Sequence, residues 1–175
     1  MKKITSLLSI MALTAVFSTS ALAQQSASAS APTSTTIVAP IGITKTTSMT
    51  FGSFATGGAG TLVMTSAAVR SATGGVKLTT ITGSPTAAEF SVTGQASYGY
   101  DITLPASLTL TTTATGTVNT MIVNTFTSSL TNSKGTLGTD GTNSFTVGAT
   151  LNVLASQVVG TYTNADGFAV TVNYN

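Results

Sequence analysis

The chain carries four carboxylates, and Glu89 and Asp101 come nearest to the pair that hydrolysis of a sugar bond would need. A glycosidase sets two carboxyl groups across the scissile bond, one as acid and one as nucleophile or base. Glu89 precedes Phe90 and Asp101 follows Tyr100, so each falls on the polar side of an alternating apolar pattern. No residue that would orient a base is visible beside either, so two solvated strand charges is the favoured reading.

Other groups are weaker still. Asp140-Gly141-Thr142-Asn143 offers oxygens to a calcium ion, but only one carboxylate where such loops supply several. It reads as a Gly-rich turn. The paired glycines in Thr56-Gly57-Gly58-Ala59-Gly60 and Thr73-Gly74-Gly75 open no helix, so neither cradles phosphate; both read as hairpin turns. Lys45 continues the inward phase of Ile41 and Ile43 and could be cross-linked if an Asn and an acid lay beside it. The simpler reading packs its stem and leaves its amine in water. With no Cys and no His, the chain has neither thiolate nor imidazole. The commonest nucleophile, base and metal ligands are therefore missing. The expectation is a non-enzyme without cofactor, metal or small-molecule substrate.

The elements that would hold these residues are strands. Ile37, Ala39, Ile41 and Ile43 alternate, with Pro40 among them, and Met49 and Phe51 continue the phase. Proline donates no N–H, which places that strand at an edge or beside a bulge. Further strands are expected over Leu62 to Thr65, Val76 to Thr82, Ala88 to Thr93, Tyr100 to Leu104, Leu108 to Thr111, Val118 to Phe126 and Val159 to Thr163. The longest clean alternation is Phe145, Val147, Ala149, Leu151, Val153. Thr131 to Asn143 reads as the longest polar loop. No window after the N-terminus keeps a helical period. Many short, β-branched strands argue an all-β antiparallel sandwich or barrel.

Residues 1–23 read as a secretory signal: Lys2 and Lys3, an apolar run, then Ala21-Leu22-Ala23, so the mature chain starts at Gln24. Residues 24–36 are small and polar and cannot bury enough surface to order themselves. Residues 37–175 suit a single sandwich domain, able to bury about two-thirds of its unfolded surface. In the mature chain Lys45, Arg70, Lys77 and Lys134 balance Glu89, Asp101, Asp140 and Asp166. Such a surface has no electrostatic handle for nucleic acid or acidic lipid. Near-zero net charge suits a protein that associates.

The chain closes on GFAVTVNYN, where Phe168, Val170, Val172 and Tyr174 share one face of a strand and Ala169, Thr171, Asn173 and Asn175 the other. That apolar face must be covered by this chain or by another.

Four segments together resemble a family of secreted bacterial β-proteins, the domain of unknown function 4402. They are Ile43 to Phe54 (ITKTTSMTFGSF), Phe90 to Pro105, Phe145 to Val153 and Gly160 to Asn175. That family is similar in turn to pilin subunits of archaic chaperone–usher pili, the spore-coat-U-like group. The resemblance implies an incomplete immunoglobulin-like sandwich whose missing strand comes first from a periplasmic chaperone, then from the N-terminal extension of a neighbouring subunit. It implies export to the periplasm, cell surface or an extracellular fibre of a Gram-negative bacterium, self-association, and an usher. Phe168, Val170, Val172 and Tyr174 would be the contact strand. Ile37, Ala39, Ile41 and Ile43 would be either a donor strand or the first strand of the chain's own sandwich. The chain departs from pilins in having no disulfide, in the spacing introduced by Asn164 to Gly167, and in a segment over residues 24–36 that lacks large apolar residues.

Three functions follow as expectations. The first is a structural pilin-like subunit of a surface fibre, serving adhesion or biofilm. The second is a monomeric periplasmic or surface binding module for glycan or protein, which the lack of Trp disfavours. The third is a small outer-membrane barrel, disfavoured by short segments and absent aromatic girdles.

Overall fold

The computed structural model describes residues 26–81 and 83–175. The leader expected over residues 1–23 and the start at Gln24 lie outside the described residues. The chain divides into Met1–Thr36 and Ile37–Asn175. In the first unit, residues 26–36 are exposed and form no regular secondary structure.

The second unit is an all-β antiparallel sandwich with no α-helix among its described residues. One seven-stranded sheet holds β1 (Gly42–Thr47), β2 (Phe54–Met64), β3 (Arg70–Leu78), β4 (Ala88–Thr93), β6 (Ser107–Thr111), β7 (Thr120–Ser128) and β9 (Thr142–Val153). A three-stranded sheet holds β5 (Gly99–Thr103), β8 (Lys134–Thr136) and β10 (Thr171–Tyr174), in the order β10-β5-β8. Neither sheet closes into a barrel.

The large sheet is organised by β9. Phe145, Val147, Ala149, Leu151 and Val153 are all buried, because a strand turns alternate side chains to one face. Val147 pairs with both Ala88 and Ser128, and Leu151 with both Leu62 and Val123. So β4 and β2 share one edge of β9 in succession, and β7 takes the other. Gly148 sits at the changeover, where a Cβ would collide with the Met64 carbonyl oxygen. Only glycine permits that approach.

Two apolar clusters result. Ala88, Phe90, Val92, Phe145 and Val147 of the large sheet meet Tyr100, Ile102 and Leu137. Leu62, Val76, Met121, Val123, Ala149, Leu151 and Val153 form the second cluster.

Several local expectations are corrected. The glycine pairs are not turns but strand interior. Gly60 pairs with Gly74, and a Cβ on Gly75 would lie 2.6 Å from the Gly58 backbone. The two chains approach too closely for side chains, and the turn between them is instead at Thr65–Val69, where Ala68 takes φ 60°. Consequently β2 starts at Phe54 rather than Leu62, and β3 spans Arg70–Leu78 rather than Val76 to Thr82. The polar stretch Thr131 to Asn143 is not all loop: Lys134–Thr136 pairs with β5, and Leu137 behind it is 2 % exposed. Val159 to Thr163 forms only the bridge Thr111↔Thr163, and Val159 is exposed. At the N-terminal side, β1 begins at Gly42, beyond Pro40, which cannot donate to a ladder. Ile43 lies within β1, Ile41 just before it, and Ile37 and Ala39 lie outside any strand. Lys45 is exposed rather than inward; its Nζ donates to Ser48 Oγ at 2.9 Å, where the β1–β4 register shifts.

Candidate functional site

The two carboxylates singled out by sequence are held apart by the sheets. Glu89 is in β4 of the large sheet and accepts a hydrogen bond from Thr47 Oγ1 at 3.4 Å. Asp101 is in β5 of the small sheet, where Lys134 Nζ donates to both its oxygens at 2.8 and 2.9 Å. That hydrogen bond holds the Asp101 carboxyl below the usual carboxylate range, with help from the Lys134 charge and Asn175. Both partners are well exposed, so the pair adds little to stability. Asp140 accepts from the Thr142 hydroxyl at 2.6 Å and the Thr142 N–H at 3.1 Å, which lower its pKa too. This is a turn held by its own side chain. Among the described residues no three acidic, His or Cys groups gather as metal ligands.

The apolar positions are brought together instead. Phe168, Val170, Val172 and Tyr174 are half-buried and pack on the first cluster, while Ala169, Thr171, Asn173 and Asn175 are exposed. The Phe168 ring meets Phe126 at 4.9 Å and Phe90 edge-on at 5.9 Å. Only two of the four lie in the strand: Val172 pairs with Ile102 and Tyr174 with Tyr100, whereas Phe168 and Val170, expected in the same strand, precede it, because the ladder to β5 starts only at Thr171. So β5 occupies one edge of β10, and among the described residues no strand occupies the other. Unpaired edges are ready templates for another strand.

The chain leading into β10 forms one wall of a cleft of about 840 Å³. Gln157–Asn164, Gly167 and Phe168 make that wall, and residues 49–56 make another. Leu108, Leu110, Met121, Val123 and Leu151 of β6, β7 and β9 form the floor. The deepest of these, Val123 and Leu151, are 1 % and 2 % exposed, whereas Phe51, Phe54, Leu108, Leu110 and Phe168 are half-buried. The accessible apolar surface is therefore on the walls and the outer floor. Among the described residues, no charged one lines the cleft.

Two features of this site escaped sequence reasoning. The first is a bulge in β7, between Asn124 and Thr127, where Thr125 takes φ 49°. The extra residue turns Thr125 out and Phe126 in, so Phe126 packs on both clusters. The second is Gln157, which is 8 % exposed. Its Nε2 lies 2.9 Å from Val118 O, 3.0 Å from Thr120 O and 2.9 Å from the Tyr162 hydroxyl, which itself donates to Val158 O at 2.7 Å. These bonds fix the wall to the β7 entry. A lone Gln between Ser156 and Val158 carries no pattern that would reveal this; the Gly160-Thr161-Tyr162 triplet was the nearest visible signal.

Among known proteins, a family model described as a domain of unknown function (DUF4402) matches residues 41–174. No curated protein and no solved structure matches the chain.

Proposed function

The chain belongs to the DUF4402 family, and from that premise we propose that it is an exported structural subunit of a bacterial surface assembly, completed by a strand from another chain. The observation that carries this reading is the charge-free apolar cleft walled by the approach to β10, a strand with one edge unpaired among the described residues. A large apolar side chain left in water forgoes about 1.5–3 kcal/mol of burial, so such walls favour a cover. An added strand supplies both things at once, backbone hydrogen bonds for the edge and side chains for the cleft. A periplasmic chaperone would hold the site during export, an usher would pass the subunit on, and the fibre would serve adhesion or biofilm.

One observation favours the second reading, a self-contained monomeric binding module. The first strand is the chain's own: β1 pairs with β4, and Ile41 and Ile43 pack on the first cluster. Hydrogen exchange on residues 24–175, expressed without partners, separates the two. A subunit awaiting a strand exchanges its β10 amides quickly and associates at raised concentration. A monodisperse monomer with β10 fully protected would refute the subunit reading in favour of the module.

A further inference from the structure

We infer that the strand which completes the cleft belongs to a protein of different sequence, so that this chain accepts a strand but cannot donate one to its own copies. The inference rests on the subunit reading above and names its partner: an extended, uncharged segment with large apolar side chains at alternate positions.

The cleft sets the requirement. Among the accessible side chains of its walls and outer floor are Phe51, Phe54, Leu108, Leu110 and Phe168, all large and apolar. A strand laid between them turns every second side chain inward. Those side chains must be large to fill about 840 Å³, because gaps leave the wall atoms without partners. They must also be neutral, since no charged residue is among the described residues of the lining and burying a charge alone is strongly unfavourable. The hydroxyl and amide deepest in the wall, Tyr162 and Gln157, already bond to backbone carbonyls.

The chain's own N-terminal stretch fails that requirement. Residues 26–36, SASASAPTSTT read from Ser26 with Gln25 before it, contain no side chain larger than Pro or Thr. Next come Ile37 and Val38, which are adjacent and so point to opposite faces, then Ala39 and Pro40. Pro40 removes a ladder donor. The next residues in phase with Ile37 are Ile41 and Ile43, and both are already packed in their own domain. Lending them would strip β1 from β4. Among the described residues before β1, Ile37 is the one exposed isoleucine that remains to offer.

Two fluorescein-labelled peptides test this against purified residues 24–175 by anisotropy. One is the chain's own residues 24–40. The other is an 11-residue peptide alternating Ile and Thr. The alternating peptide is expected to bind saturably, roughly 100-fold tighter than the chain's own segment, a difference that anchor side chains in pockets routinely make. Leu108→Asp and, as a milder second variant, Phe51→Ser should each weaken it at least about tenfold while circular dichroism stays that of the folded wild type. Equal or tighter binding of the 24–40 peptide would overturn the one-way inference and leave the subunit reading standing. Binding of neither peptide would overturn both.

Discussion

The Tyr174 hydroxyl donates to the Ala39 carbonyl at 2.7 Å and accepts from the Gln95 N–H at 2.6 Å, while Gln95 Oε1 takes the Ala39 N–H at 3.2 Å. One phenol thus ties the approach to β1, the turn after β4 and the last strand of the small sheet. Its ring also meets Tyr98 edge-on at 5.8 Å. The Tyr174 end of β10 is closed by these bonds, and Phe168, three residues before β10, borders the cleft.

Tyr174→Phe keeps the ring and removes the knot. It is expected to cost about 1–2 kcal/mol, because a carbonyl and an N–H lose their partner together. Urea unfolding reads the cost, and faster hydrogen exchange at Gln95 would locate it. An unchanged midpoint would show that the three segments are held otherwise.

Tyr100 is the opposite case. It is fully buried, and among the described residues its hydroxyl has no hydrogen-bond partner. Tyr100→Phe should therefore be neutral or stabilise by up to about 1 kcal/mol, since an unsatisfied buried group is removed without changing shape. Burial also raises the Tyr100 pKa. The unfolded phenol then loses its proton at lower pH than the folded one, so stability is full below about pH 10 and falls as pH rises above it. The phenylalanine variant should show a flatter alkaline limb than the wild type in urea midpoints taken from pH 8 to 11.

Leu151 lies at the middle of the second cluster, 2 % exposed, between Leu62 and Val123. Leu151→Ala is expected to cost about 2–4 kcal/mol, as a core truncation in a sheet that cannot collapse around the gap. A loss within experimental error would mean that the β9 phase is wrong.

Glu89→Ala with Asp101→Ala should leave the domain folded and its biological activity intact, because the two carboxylates lie in different sheets and each has only exposed or part-buried polar partners. The Asp101 pKa is lowered by Lys134, so its contribution is present above the ordinary Asp pKa and fades as pH falls through the lowered value. The double variant should lose that acid-side slope and nothing else. A folded double variant that lost a measurable hydrolytic activity would reverse the non-enzyme reading.

Strand phase was legible wherever a run of residues met one partner face throughout. Ala88 to Thr93 was bounded correctly, and the buried set of β9 was named residue by residue. The half-buried alternation Phe168, Val170, Val172, Tyr174 was named too, although only Val172 and Tyr174 of it lie within β10. The side-chain period of an extended chain is two, and that period is written in neighbouring residues. The all-β class and the lack of any helical period followed from the same local signal.

What lay across the strand was not legible. Gly58, Gly60, Gly74 and Gly75 look like turn residues in either sequence order, and only their mutual approach shows that they are paired strand. Lys134–Thr136 has no apolar alternation and becomes a strand because β5 offers it an edge. The bulge at Thr125, which turns Phe126 towards Phe168, depends on where β9 passes from β4 to β2. The cleft belongs to this second kind of information. Its walls lie more than a hundred residues apart in sequence, at Phe51 and Phe168, and no local pattern of side chains records which surfaces a small sheet leaves uncovered. The residues alone determined which faces are apolar; the tertiary structure decided which of those faces the chain covers itself, because cover is a property of non-local packing.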